Sequence, residues 1–144
     1  MFGTMLKNCQ FALADARGRA VMLLQEEFKL FLYEYSIYRI VPGLQPVLIA
    51  RITRRWSWGS TGDYGVRVFN PPGLGVTCSG RWPAQFTLHS QGRRAADVNK
   101  KMFTLSDKYK VTVQPGHDLL LFLSLACCID RIHHEVEEKR NNNR

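Results

Sequence analysis

Eleven Lys or Arg lie between Arg51 and Lys110 against three acids, Asp63, Asp97 and Asp107, so this stretch carries the whole of the chain's net charge of +8. Basic side chains at this density raise a positive surface potential that attracts phosphate groups, whether on lipid, nucleic acid or an acidic protein. The same residues also serve simply as a solvated surface, because charge alone names no partner. Anion binding needs several cations on one side of one element, so the positions that could cooperate depend on the strands that carry them.

Other chemistry finds little support in the residue pattern. The four histidines, His89, His117, His133 and His134, belong to no recognisable nucleophile, metal or acid-base motif, and no catalytic residue is assigned. Gly73-Leu-Gly75 lacks the further glycine and helix of a dinucleotide loop, and Lys100-Lys101 follows no phosphate-binding loop. Cys127, Cys128, His133 and His134 could be read as a zinc site, but consecutive helical residues point about 100° apart and no second pair completes the set. No metal, cofactor or enzymatic activity is therefore expected. The four cysteines, with Cys9 and Cys78 isolated, make no disulfide framework and read as small core residues. Residues 1–13 are interrupted by Lys7, Asn8 and Gln10 and do not read as a secretory signal, so cytosol or nucleus is the expected compartment.

Near the C-terminus, Asp118 is a good N-cap for the uncharged, mostly apolar run at 119–129. A helix with no polar face must be surrounded, either by lipid or by protein. Eleven residues span only about 17 Å, while a bilayer core needs about 20 apolar residues, so a buried core helix is expected and no transmembrane span. Beyond Ile129 the pattern turns amphipathic, with Leu125, Ile129, Ile132 and Val136 on one stripe. The helix enters the core and leaves it, and 139–144 form a polar tail after a single domain at 1–138.

Everything before that helix reads as strands. Residues 11–37 echo 86–111 at an offset of 74 to 75, pairing Phe11 with Phe86, Leu13 with Leu88, Gly18 with Gly92, Phe28 with Phe103, Leu30 with Leu105, Tyr35 with Tyr109 and Ile37 with Val111. Each copy reads as strand, glycine turn, strand, aromatic corner, strand. Turn signals recur at Asp15-Ala-Arg-Gly18, Pro42-Gly43, Gly59-Ser-Thr-Gly62, Pro71-Pro-Gly73, Gly80, Ser90-Gln-Gly92 and Ser106-Asp107, spaced for about ten short strands. The expected fold is mainly β with one long C-terminal helix: an antiparallel β-barrel, whose closure removes exposed edges, enclosing a central hydrophobic helix. Trp56, Trp58 and Trp82 would suit a membrane interface or base stacking, but read better as plugs at strand corners.

Strand alternation then sorts the basic residues. With Tyr109, Val111 and Val113 inward, Lys108 and Lys110 face out; with Ala96 and Val98 inward, Asn99 and Lys101 face out on the neighbouring strand. With Val66 and Val68 inward, Arg67 faces out, joined by Arg51 and Arg55. Lys101, Lys108 and Lys110, with Arg51, Arg55 and Arg67 as a second group, make a candidate head-group site. The alternative is that outward strand positions are simply polar.

Asp15-Ala-Arg-Gly-Arg-Ala20, Tyr35-Ser-Ile-Tyr-Arg39, Gly92-Arg-Arg-Ala-Ala-Asp-Val98, Lys100-Lys-Met-Phe103 and Tyr109-Lys-Val-Thr-Val113, with the apolar helix and Ile129-Asp-Arg-Ile132, resemble the LURP-one-related family. That family sits with the tubby C-terminal domain and the phospholipid scramblases. The resemblance implies a barrel of about twelve strands around a hydrophobic C-terminal helix. It further implies a non-enzymatic binding or tethering role in defence or signalling, with phosphoinositide or other anionic head groups as ligands by analogy with tubby domains. Family members usually carry additional strands before the segment that begins here near Leu6. The stretch before the helix holds two acids and two lysines, unlike the acidic calcium-binding segment of scramblases, so calcium-triggered scrambling is not expected. The tubby lipid-binding residues cannot be placed one by one. A monomer is expected, peripheral at the plasma membrane or nuclear, with protein partners also open. The alternative is a nuclear adaptor that binds nucleic acid or protein, and no DNA- or RNA-binding motif beyond the charge supports it.

Overall fold

Alternating apolar residues and glycine turns build two antiparallel meanders, seen in a computed structural model that describes residues 10–30, 32–55, 64–81, 85–100 and 109–142. The first sheet runs β1 (Gln10–Ala14), β2 (Ala20–Lys29), β3 (Leu32–Arg39), β4 (Val47–Arg55) and β5 (Tyr64–Val68), with strands adjacent in sequence adjacent in space. The second runs β6 (Val76–Arg81), β7 (Gln85–Ser90), β8 (Arg93–Lys100) and β9 (Tyr109–Val113) in the same manner, and α1 (Leu119–Asn142) closes the chain. Local pairing of neighbouring strands keeps loop-closure entropy low.

The internal echo is structural. β1-β2-β3 and β7-β8-β9 are equivalent meanders, and Gly18 and Gly92 occupy equivalent turns at φ +79° and +78°, a conformation in which a Cβ would be strained. Each meander also shifts register just after the matched leucine, between Leu13 and Ala14 and between Leu88 and His89. In the first turn the Asp15 carboxylate accepts the Arg17 and Arg19 backbone N–H groups at 2.9 and 3.0 Å. Phe103 and Leu105, the other halves of two matched pairs, lie outside the described residues, as do the Gly59–Gly62 and Ser106-Asp107 turn signals. Gly80 is not a turn: it lies inside β6 with φ +100°, where the ladder continues through it.

The core collects the inward face of both sheets on one side of the helix. Met22, Leu24, Tyr35, Ile37 and Ile52 from the first sheet and Phe86, Leu88, Ala96 and Val98 from the second are buried with Leu121, Phe122, Leu125, Ala126, Ile129 and Ile132 of α1. The helix touches β2, β3 and β4 of one sheet and β8 and β9 of the other. Among the described residues the strands cover one face of it, and the all-round cover expected from the sequence is not seen among them. Leu119 is 58% exposed, and Leu120, Leu123 and Cys127 are only half-buried, because an apolar run is amphipathic in effect once sheets meet only one face of it. The helix also runs through Lys139, whose ammonium lies over the Tyr33 ring at 4.8 Å, so the tail expected from 139 onward is helical to Asn142.

Nine strands form ladders among the described residues, against about ten expected. Those ladders do not close: β5 and β6 lie side by side without pairing, and no pairing joins β1 to β9. Two open sheets cradling a helix are thus what the described residues make.

Asp118 starts the helix as the sequence suggests. Its Oδ1 accepts the Leu120 and Leu121 N–H groups at 3.1 and 3.2 Å, while Oδ2 accepts from Arg39 of β3 at 2.9 Å. Cap and sheet are thereby tied together. Asp118→Ala is expected to lower stability by about 1–2 kcal/mol in urea unfolding; a change below about 0.3 kcal/mol would mean that neither the cap nor the bridge contributes.

Candidate functional site

The register of β4 and β5 sets Arg51 directly opposite Arg67. Both point away from the helix, as Ala50, Ile52 and Val68 on the other face of the same strands are buried. Like charges directly across a strand pair repel. Here the chain answers with an aromatic: just past β5, the Phe69 ring lies 5.6 Å from the Arg51 guanidinium carbon and 5.3 Å from that of Arg67. The negative ring face offsets part of the repulsion and holds both guanidiniums near one another. Arg51 Nε donates to the buried Ser36 hydroxyl of β3 at 3.2 Å, which leaves the remaining donors of its fork free of that contact. Among the described residues neither arginine makes an ion pair. Two adjacent guanidiniums that make no ion pair with a carboxylate among the described residues form a place for an anion with several oxygens.

The other expected members of the site fall differently. Lys110 is exposed on β9 opposite Asn99, outward as alternation requires, but on the second sheet rather than beside Arg51 and Arg67. Lys101 and Lys108 lie outside the described residues, and of Arg55 only the backbone, at the end of β4, is described. Trp56, Trp58 and Trp82 also lie outside them.

Two features escape the sequence. Phe69 carries no signal of its role, since it follows the strand and meets the arginines only through the turn at 69–73. Arg54 counts toward the basic stretch but is turned inward and only 9% exposed, its guanidinium 5.6 Å from the Tyr64 ring. It is a core cation and contributes little to the outer wall. Burial raises the Tyr64 hydroxyl's pKa against the opposing pull of Arg54.

The inner face carries its own polar groups along the second half of α1. The Tyr35 hydroxyl donates to Glu135 at 2.8 Å. Burial raises the Glu135 carboxyl above its ordinary value, opposed by that hydrogen bond and by Arg131, while Glu26 pushes in the same direction as burial. Burial likewise lowers His133, with Arg54 adding to the effect and Glu137 opposing it. A carboxyl with a raised folded pKa binds its proton more tightly in the folded state, so it lowers stability as pH rises through that pKa. Glu135→Gln is therefore expected to be more stable than the parent at pH 8, with the difference shrinking to nothing below the ordinary value of 4.5. A variant less stable than the parent at pH 8 would mean that the Tyr35 and Arg131 contacts outweigh burial.

Nothing in these contacts assembles a nucleophile with a base and an orienting acid. Ser79 Oγ lies 3.1 Å from His89 Nε2, but this is an exposed cross-strand contact with no carboxylate on the ring among the described residues. The Cys78 thiol is pushed up to about 12 by burial and Cys128 well above its ordinary value, so both stay protonated and unreactive. No group of three metal-ligating side chains occurs among the described residues, and no helix among them is long and apolar enough to cross a membrane.

A β-meander fold packed on one apolar C-terminal helix, with a cationic outer wall, defines a class of single-helix β domains. This chain belongs to the LURP-one-related family, whose model matches residues 2–130. Placement beside the tubby-like domains is consistent with that membership. The match takes in both meanders and α1 as far as Asp130. Comparison with curated proteins and with solved structures gave no match.

Proposed function

We propose that this protein is a non-enzymatic binding or tethering module that recognises anionic phospholipid head groups, phosphoinositides above all, at a membrane surface. The observation that carries this reading is the Arg51–Arg67 pair, two guanidiniums in direct register and without an acidic partner among the described residues. Guanidiniums bind phosphate oxygens bidentately and tolerate close approach to each other when an anion sits between them. Phe69 at the same place adds an apolar body able to rest at the head-group level of a bilayer. Lys110, Lys101, Lys108 and Arg55 extend the basic surface in this reading. The reading includes a barrel closed around α1, as the resemblance to tubby domains implies, supported by the burial of one helix face under strands of both sheets. Peripheral attachment to the plasma membrane follows from it, with signalling as the setting.

Sedimentation with neutral, phosphatidylserine and phosphoinositide vesicles at two salt concentrations tests it. Binding should rise with head-group charge and weaken at high salt as exposed charges are screened. Absence of binding to every vesicle would end this reading, and equal binding to neutral vesicles would replace it with apolar insertion. A steep salt dependence on DNA or RNA in place of vesicle binding would favour the nuclear alternative.

A further inference from the structure

The N-terminal end of α1 borders a cleft of about 550 Å³, within the size range of small-molecule sites. Its floor is apolar, made by Leu74, Leu121 and Phe122, the last two 1% exposed. Its walls are fixed by backbone contacts. The Gln91 N–H, in the turn between β7 and β8, donates to the Gly75 carbonyl at 2.8 Å, and the Gln91 side-chain amide reaches the Gly73 carbonyl at 3.4 Å. The His117 ring stands edge-on to Phe122 at 5.8 Å.

The charges at the mouth do not balance. Asp118 lines the cleft, but its two oxygens already serve the Leu120 and Leu121 N–H groups and Arg39. Arg39 and Asp118 neutralise each other, which leaves Arg93, exposed at the cleft and without an ion pair or hydrogen bond from its side chain among the described residues. Ser90 also lines the cleft. It is 4% exposed, and its hydroxyl makes no hydrogen bond among the described residues. A hydroxyl at the cleft wall with no protein partner among the described residues, directly across the β7–β8 pair from an unpaired guanidinium and over an apolar floor, suits an oxygen acceptor attached to an apolar body.

We propose that this cleft binds a small amphipathic carboxylate, with its head group on Arg93 and the Ser90 hydroxyl and its chain or ring on Leu74, Leu121 and Phe122. One uncompensated cation matches a monoanion; a phosphate dianion would need a second. The site is independent of the Arg51–Arg67 wall, although Pro71 at its rim follows Phe69 by two residues.

The test is an NMR titration of the isotope-labelled full chain with octanoate, with octanol and octylammonium as uncharged and oppositely charged controls. Saturable shifts centred on Ser90, Gln91, His117 and Leu121 are expected, with octanol and octylammonium binding at least tenfold more weakly. Arg93→Gln should weaken octanoate about tenfold or more, the range for losing a charge-assisted hydrogen bond. It should melt with the parent, because Arg93 is exposed. An Arg51→Ala/Arg67→Ala variant should bind octanoate as the parent does. Absence of saturable shifts up to about 10 mM octanoate, the range in which a ligand of about ten heavy atoms binds, shifts centred elsewhere, octanol binding as tightly as octanoate, or an Arg93→Gln variant of unchanged affinity would each overturn the proposal.

Discussion

Leu125→Ala is expected to cost about 3 kcal/mol of folding stability, within the range of 2–5 found for large-to-small changes at sites that cannot collapse. Leu125 is fully buried and lies on the α1 stripe with Leu121, Phe122, Ile129 and Ile132, the side that strands of both sheets cover. A cavity there is bounded by two sheets and a helix, so relaxation of any one element must pull against the others. Urea unfolding should show a lower midpoint with an unchanged slope. Leu123→Ala, on the half-buried side of the same helix, should cost clearly less. Equal losses at the two positions would mean that the helix is enclosed all round, which would itself argue for a closed barrel.

The second large effect concerns binding. Arg51→Ala/Arg67→Ala should weaken attachment to phosphoinositide vesicles about thirtyfold, since each cation near an anionic surface contributes about 1 kcal/mol and tenfold corresponds to about 1.4. Folding should survive. The pair is mutually repulsive across the strands, so its removal relieves a like-charge contact while losing the Phe69 stacking and the Ser36 hydrogen bond, small terms of opposite sign. Lys110→Ala, on the other sheet, should change attachment by a few-fold at most if the pair is the centre of the site. Unchanged binding in the double variant, with its melting intact, would remove these arginines from any lipid-binding role.

Much of the fold can be read from residue order because its contacts are local. Neighbouring strands pair with each other throughout both sheets, so alternation and turn glycines mark most of the strands, although the turn expected at Gly80 falls inside β6, and the 74-to-75 residue echo marks the two equivalent meanders with Gly18 and Gly92 at matching turns. Asp118 as a cap is equally local, because its partners lie two and three residues away. Alternation also puts Arg67 and Lys110 outward correctly, since a period of two needs no knowledge of the partner strand.

What alternation does not carry is register. That Arg51 faces Arg67, and that Phe69 comes back over both, depends on how β4 slides along β5 and on the turn that follows. Arg54 sits one residue from an outward position, and inward burial beside Tyr64 turns an apparent surface cation into a core one. The apolar run of α1 likewise states only that a helix seeks cover. Which side receives it, and the cleft left at its N-terminal end between Arg93, Ser90 and Phe122, follows from where two separately formed sheets meet the helix. The sequence by itself therefore determined the elements, their order and the sign of the surface charge, all set by interactions within a few residues. The tertiary structure alone decided which cations stand together and which hydroxyl is left unpaired, because those depend on distances between strands far apart in the chain.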